Sequence, residues 1–207
     1  MNDYFLNLNK QANNEYINKL NTYAKENNVP IVTNEGLELI KLLIKLTNAK
    51  KILEIGTAIA YTSINCALLS EDIFVDTIER NEKMYEQAIK NVKEISLENR
   101  INVIKGDALD VDITTLNDSY DLIFIDAAKA QYTRFFEKYS VLLKTGGIVV
   151  SDNLLFHGLV EKDNIEGKDL RALIRKIKNY NSWLENNQEF DTTFLRIGDG
   201  MAISIKK

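Results

Sequence analysis

Apolar and polar positions recur along this chain with two different periods, and the period switches at regular intervals. From about Tyr4 to Glu26 the apolar side chains, among them Ile17, Leu20, Tyr23 and Ala24, fall at helical spacing, which predicts one or two N-terminal helices. The sole proline, Pro30, lies in Asn27-Asn28-Val29-Pro30-Ile31-Val32 and marks an extended break. Thr33 or Asn34 then caps a helix through Leu46, with Leu37, Ile40, Leu43 and Ile44 on one face. Beyond it, short β-branched and aliphatic runs alternate with helical stretches. Strands are expected near Lys51–Gly56, Ile73–Ile78, Asn102–Lys105, Leu122–Asp126 and Ile148–Asp152. Helices are expected near Tyr61–Leu69, Lys83–Ile95 and Gln131–Leu143.

Strand and helix in alternation imply an α/β fold, a Rossmann-like, mostly parallel sheet with helices on both faces. The tail breaks the rhythm. A helix over Gly167–Asn187 is followed by Phe190–Ile197 and Met201–Lys206, with Gly198-Asp199-Gly200 between them. A tight Asp-Gly turn there predicts a C-terminal antiparallel hairpin on the edge of a seven-stranded sheet. The chain reads as one domain over residues 1–207, with residues 1–48 as an N-terminal helical cap; no repeat or low-complexity linker divides it.

Composition narrows the picture. At 207 residues and 45% hydrophobic content the chain is large enough for one full core. The single cysteine, Cys66, excludes an internal disulfide and a cysteine-based zinc cluster, as suits a reducing cytoplasmic location. No basic region followed by an apolar run opens the sequence, and no stretch is long enough to cross a bilayer, so no membrane partner is expected. The net charge of −4 argues against generic nucleic-acid binding but leaves room for a local basic patch.

Candidate chemistry collects at predicted strand ends. The first strand runs into Glu54-Ile55-Gly56-Thr57-Ala58-Ile59-Ala60-Tyr61, where Gly56 lets the backbone approach a ligand. The G-x-G-x-x-G fingerprint is absent, which disfavours a pyrophosphate cofactor; a plain packing turn is the alternative. Glu79 ends the second strand about 20 residues later, where an acid can accept hydrogen bonds from ribose hydroxyls. Gly106-Asp107-Ala108 ends the third, with a carboxylate able to take an adenine amino group, or forming only a Gly-Asp turn. Asp126, Asp152 and Asn153 end the next two runs and make a set of hard oxygen ligands suited to Mg²⁺. The bland reading is that Asp152-Asn153 starts a turn and Asp126 caps a helix. Lys129, one turn beyond Asp126, is either a solvated residue or a base for a metal-acidified hydroxyl. His157 reads as a loop residue with a substrate contact second, Cys66 as core, and Tyr180 and Trp183 as helix packing or an oligomer contact rather than a base-stacking platform. Lys168, Arg171, Arg175, Lys176 and Lys178 form a basic cluster that is either a solvated face or a phosphate contact.

The segments ILEIGTAIAYTS, TIERN, GDALD, DLIFIDAAKAQY and GGIVVSDNLLFHG, in this order, resemble the class I S-adenosylmethionine-dependent O-methyltransferases of the metal-dependent catechol and caffeoyl-CoA type. NNVPIV, YNSWL and IGDGMAIS narrow the resemblance toward the bacterial tRNA 5-hydroxyuridine methyltransferases. The resemblance implies S-adenosylmethionine contacts at Val32, Glu54, Gly56, Thr62, Glu79, Gly106, Asp107, Ala108 and Asp126. It also implies Mg²⁺ at Asp126, Asp152 and Asn153, catalysis by Lys129 with Asp126, and a homodimer. Ala60 departs from the family pattern, which has a second glycine in the cofactor turn. The expected reaction is methylation of wobble 5-hydroxyuridine in the tRNA anticodon arm, giving 5-methoxyuridine. A small catechol-like or phenolic acceptor is the alternative, and a cofactor-binding module without turnover is the reading from a different class.

Overall fold

The computed structural model describes residues 14–207; the part of the predicted N-terminal helices before residue 14 lies outside them. Helix α1 (Glu15–Glu26) starts where the Asn14 side chain accepts from the backbone N–H groups of Tyr16 and Ile17. Helix α2 (Asn34–Thr47) starts at Thr33, whose hydroxyl accepts from Gly36 N–H at 3.2 Å, and stops at Asn48 in the left-handed region. Asn and Thr at these points satisfy orphan backbone groups that an apolar residue would leave bare.

The alternating segments form β1 (Lys51–Ile55), α3 (Tyr61–Ala67), β2 (Phe74–Glu79), α4 (Glu82–Glu94), β3 (Ile101–Lys105), β4 (Tyr120–Ile125), α5 (Tyr132–Ser140) and β5 (Leu143–Ser151). Then come α6 (Lys168–Glu185), β6 (Phe190–Leu195) and β7 (Met201–Lys206). One seven-stranded sheet results, in the order β3-β2-β1-β4-β5-β7-β6. The five strands from β3 to β5 are parallel, and β7 joins β5 and β6 antiparallel.

Both sheet faces are apolar, as a doubly covered sheet requires. Ile52, Leu122, Phe124, Ile148 and Val150 pack against the helices of the N-terminal half, while Leu53, Ile123, Ile125 and Val149 pack under α5 and α6. Successive residues of one strand therefore feed two cores. On the second face Tyr132, Phe136, Tyr180, Trp183 and Phe190 meet mostly edge to face, and the Tyr180 hydroxyl lies 2.7 Å from Ser151 Oγ. Cys66 is buried, as its apolar neighbours predict.

Several expected boundaries move, most of all around β5. Helix α5 ends at Ser140 rather than Leu143, and β5 begins at Leu143 instead of Ile148. Leu143 pairs with Tyr120, but the register then jumps so that Leu122 meets Ile148. The Lys144–Gly147 stretch is absorbed as an irregularity, with Gly146 at φ +76°. At the tail, β6 stops at Leu195 and residues 196–200 connect it to β7, a longer link than the tight turn expected. No described helix is long and apolar enough to cross a membrane.

Candidate active site

Strand order reverses direction between β1 and β4, and the crevice beyond their carboxyl ends is where open α/β sheets bind ligands. A cavity of about 300 Å³ lies there. Gly56, Glu79, Gly106, Asp107, Ala108, Asp126 and Lys129 line it, and Pro30, Met84, Leu109 and Phe135 give it apolar walls. Val32, Glu54 and Thr62 are not on its lining. Val32 is buried beside α2, while Glu54 and Thr62 sit under the cofactor turn, next to Ser63 and Cys66.

Gly56 fixes how the crevice is built. Its φ is +103°, and a Cβ there would stand 2.2 Å from the Asp126 carbonyl oxygen. Only glycine lets the turn after β1 pass so close to the end of β4. The first-strand turn and the Asp126 corner are therefore packed side by side. Below the turn, the Glu54 carboxylate accepts from Thr77 Oγ1 at 2.7 Å and from Ser63 Oγ, and Thr77 Oγ1 lies 2.6 Å from Thr57 Oγ1. This buried chain ties β1, β2, the turn and α3 together. Burial pushes the Glu54 carboxyl up to about 7 despite the hydroxyl donors, which pull the other way.

Glu79 is pre-positioned by backbone. One of its oxygens accepts from Ala58 N–H at 2.8 Å and the other from Asn81 N–H at 2.7 Å. Asp107 accepts from Leu109 N–H at 2.9 Å and from Arg80 at 3.3 Å, and the backbone donor leads in holding its carboxyl below the ordinary range.

The ends of β4 and β5 look different. Asp126 Oδ1 accepts from Lys129 Nζ at 2.8 Å and from Asn153 Nδ2 at 3.0 Å. Asn153 N–H also donates to Asp152 Oδ1 at 2.6 Å, so Asn153 touches both aspartates. Asn153 adopts φ +63°, a conformation asparagine tolerates better than most residues. Tyr132 OH donates to the Asp152 carbonyl at 3.1 Å and anchors the strand end. Asp152 is 3% exposed, and burial followed by the Asp126 charge raises its carboxyl to about 7. Two carboxylates thus converge on one buried corner opposite a single ammonium, with an amide between them. That donor set and its surplus of negative charge fit a hard divalent cation held by Asp126, Asp152 and Asn153. No trio drawn only from His, Cys, Asp and Glu side chains offers a metal site among the described residues.

The acidic strand ends Glu79, Asp107 and Asp126 meet on one crevice, whose apolar walls carry no such signal in the sequence. Met84 and Phe135 carry no local signal, because their helical spacing equally predicts core. Pro30 was legible only as a break. Arg80 stood in the TIERN segment but became meaningful once its guanidinium was placed against Asp107.

The sequence matches the O-methyltransferase family over residues 9–207, and the chain belongs to that family. It is 31% identical over 188 residues to the caffeoyl-CoA O-methyltransferase of Populus kitakamiensis, covering 87% of this chain and 80% of that one. The flavonoid 3',5'-methyltransferase of Vitis vinifera is 30% identical, with 85% and 77% covered. Among solved structures, a Staphylococcus aureus protein provisionally described as a caffeoyl-CoA O-methyltransferase superposes with a TM-score of 0.94 at 45% identity, over 99% of this chain and 98% of that one. The O-methyltransferase TomG of Streptomyces achromogenes, solved in complex with S-adenosylmethionine, gives 0.84 at 25% identity, with 99% and 94% covered.

Proposed function

We propose that this chain transfers the methyl group of S-adenosylmethionine, in a Mg²⁺-dependent reaction, to the hydroxyl of a small catechol-like or phenolic acceptor. The observation that carries this reading is the Asp126–Asn153–Asp152 corner set directly against the 300 Å³ cavity and Lys129. The named acceptors of the caffeoyl-CoA and flavonoid relatives support an aromatic acceptor.

S-adenosylmethionine supplies the methyl as a sulfonium. A divalent ion held by Asp126, Asp152 and Asn153 would lower the pKa of an acceptor hydroxyl bound to it. Glu79, held by two backbone N–H groups, presents its carboxylate to ribose hydroxyls without reorganising. Asp107, on the same lining, would take the adenine amino group. Met84, Leu109, Phe135 and Pro30 exclude water from the walls and strengthen every charge interaction inside. Lys129, hydrogen-bonded to Asp126, stands beside the corner: as the ammonium it would stabilise the acceptor oxyanion, and only as the free amine would it take the acceptor proton. Placement does most of the work, because methyl transfer in line needs the reacting atoms close and aligned.

A second reading, methylation of wobble 5-hydroxyuridine in the tRNA anticodon arm, is favoured by one observation. Lys168, Arg171, Arg175 and Lys178 are exposed along one side of α6, unpaired with any acid among the described residues, and α6 packs against the turn carrying Lys129. The hydroxyl and neighbouring carbonyl of 5-hydroxyuridine present the same two oxygens as a catechol. One experiment separates the readings. Transfer of labelled methyl from S-adenosylmethionine is measured to catechols and to tRNA bearing 5-hydroxyuridine, with and without chelator. Chelator-sensitive methylation of catechols is expected. Methylation of tRNA alone would replace the first reading by the second, and activity unaffected by chelator would remove the metal from both.

A further inference from the structure

The Gly198-Asp199-Gly200 segment, legible in the sequence as a hairpin turn, does something else in the fold. Residues 196–200 reach across to the segment that leaves β5 directly after the proposed metal ligands. Leu154 N–H donates to the Gly200 carbonyl at 2.9 Å and Leu155 N–H to the Asp199 carbonyl at 2.8 Å. Asp199 Oδ1 accepts from His157 N–H at 2.7 Å. Arg196 forms a two-point ion pair with Glu161. A Cβ at Gly200 would meet Leu155 Cγ at 2.6 Å and its backbone nitrogen at 3.0 Å, and one at Gly198 would meet Thr33 Oγ1 at 2.5 Å. Both glycines are therefore required by close approach as well as by their positive φ.

The clasped segment is locally strained. Asn153, Phe156 and His157 all have φ between +46° and +63°, and Gly158 follows at +73°. Three non-glycine residues in the left-handed region within five positions persist only if surrounding contacts over-determine them. Asp199 supplies the central contact. Its Oδ2 is buried with no hydrogen-bond partner, and His157 Nδ1 lies 3.8 Å away as its nearest cation-forming atom. The His157 imidazole itself is 79% exposed. Asp199 is also near enough to add to the negative potential felt by Asp152.

We propose that Asp199 is a positioning residue for the acceptor: through the His157 backbone it holds the left-handed 153–158 segment, and with it Asn153, which bonds Asp126 at the edge of the crevice. The antiparallel hairpin thereby becomes the buttress of the metal corner. This inference rests on the acceptor reading above. Asp199 touches neither wall of the cofactor cavity, so its removal separates acceptor binding from cofactor binding.

The test compares wild type, Asp199→Ala, Asp199→Asn and Arg196→Ala in steady-state catechol methylation, with S-adenosylhomocysteine affinity from calorimetry. In Asp199→Ala the acceptor KM is expected to rise at least about 10-fold, as for other outer supports of a metal site, with a smaller change in kcat and unchanged cofactor affinity. Asp199→Asn keeps an oxygen acceptor for His157 N–H and is expected to restore most of the loss. Arg196→Ala, a change at an exposed side chain that leaves the core intact, is expected to raise KM by a smaller factor. Amide hydrogen exchange at Leu154, Leu155 and His157 should accelerate in Asp199→Ala while β1 and β4 stay protected. An unchanged KM, a parallel fall in cofactor affinity, or failure of asparagine to rescue would overturn the proposal. If wild type methylates no catechol, the acceptor reading fails by itself, and unchanged exchange at those three amides would then overturn the clasp independently.

Discussion

The two rims of the crevice solve opposite electrostatic problems. At the ends of β2 and β3 the acids are already compensated, Glu79 by two backbone N–H groups and Asp107 by a backbone N–H and Arg80. At the ends of β4 and β5, Asp126 draws its donors from the Lys129 and Asn153 side chains, Asp152 has a single backbone N–H, and burial with the Asp126 charge raises the Asp152 carboxyl to about 7. The first rim is rigid and ready for neutral, hydrogen-bonding groups such as ribose. The second carries excess negative charge that a cation would relieve. Backbone donors cost nothing in side-chain freedom, so the difference separates a pre-organised binding rim from a charged, reactive one.

Substitutions should act on one rim at a time. Lys129→Ala is expected to lower kcat by about 10²-fold or more with cofactor affinity intact, measured by methyl transfer and calorimetry. A matching loss of cofactor affinity would erase the distinction. Glu79→Ala should do the reverse, weakening S-adenosylmethionine binding about 10- to 100-fold through two lost charge-assisted hydrogen bonds while Mg²⁺ affinity is unchanged.

The pH dependence of stability reads the same contrast without turnover. The Asp152 carboxyl moves from its ordinary 3.8 to about 7, and Glu54 also rises to about 7, so the folded protein keeps protons that the unfolded chain has lost. These groups therefore stabilise most below the unfolded pKa, and their contribution falls as pH rises through about 7. In chelator, Tm is expected to fall across that window, and Asp152→Asn to flatten the fall, leaving the part due to Glu54. A slope unaltered in Asp152→Asn would place the strain elsewhere.

The smallest effect concerns the cofactor turn. Ala60 is fully buried at φ +65°, a conformation that costs a residue with a Cβ about 1–2 kcal/mol. Removing the methyl forfeits about 0.8 kcal/mol of burial. Ala60→Gly should therefore stabilise by less than about 1 kcal/mol in chemical denaturation, and a clear loss of stability would show the methyl to be a packing element.

The sheet was legible because its strands obey a simple rule. Ile52 and Leu53, or Ile123 and Phe124, must bury on opposite faces, and continuous apolar runs between helices say so. Acidic residues ending those runs, Glu79, Asp126 and Asp152, were legible for the same reason: a strand end is where a buried run meets solvent. What stayed hidden depends on distant pairing. Nothing local distinguishes Phe135 on the cavity wall from Phe136 in the core. The backbone of Gly56 reveals its purpose only against the Asp126 carbonyl, about 70 residues away in sequence. The start of β5 stays hidden because glycines carry no side chain to mark a strand, while the sheet accommodates Gly146-Gly147 as an irregularity.

The charged rim is tested most directly by titrating Mg²⁺ into wild type and Asp152→Asn, each saturated with S-adenosylhomocysteine, in a calorimeter. One saturable site in the wild type, weakened at least about 10-fold in the variant, is the predicted result. Equal binding to both proteins, or none to either, would contradict a cation held between Asp126 and Asp152.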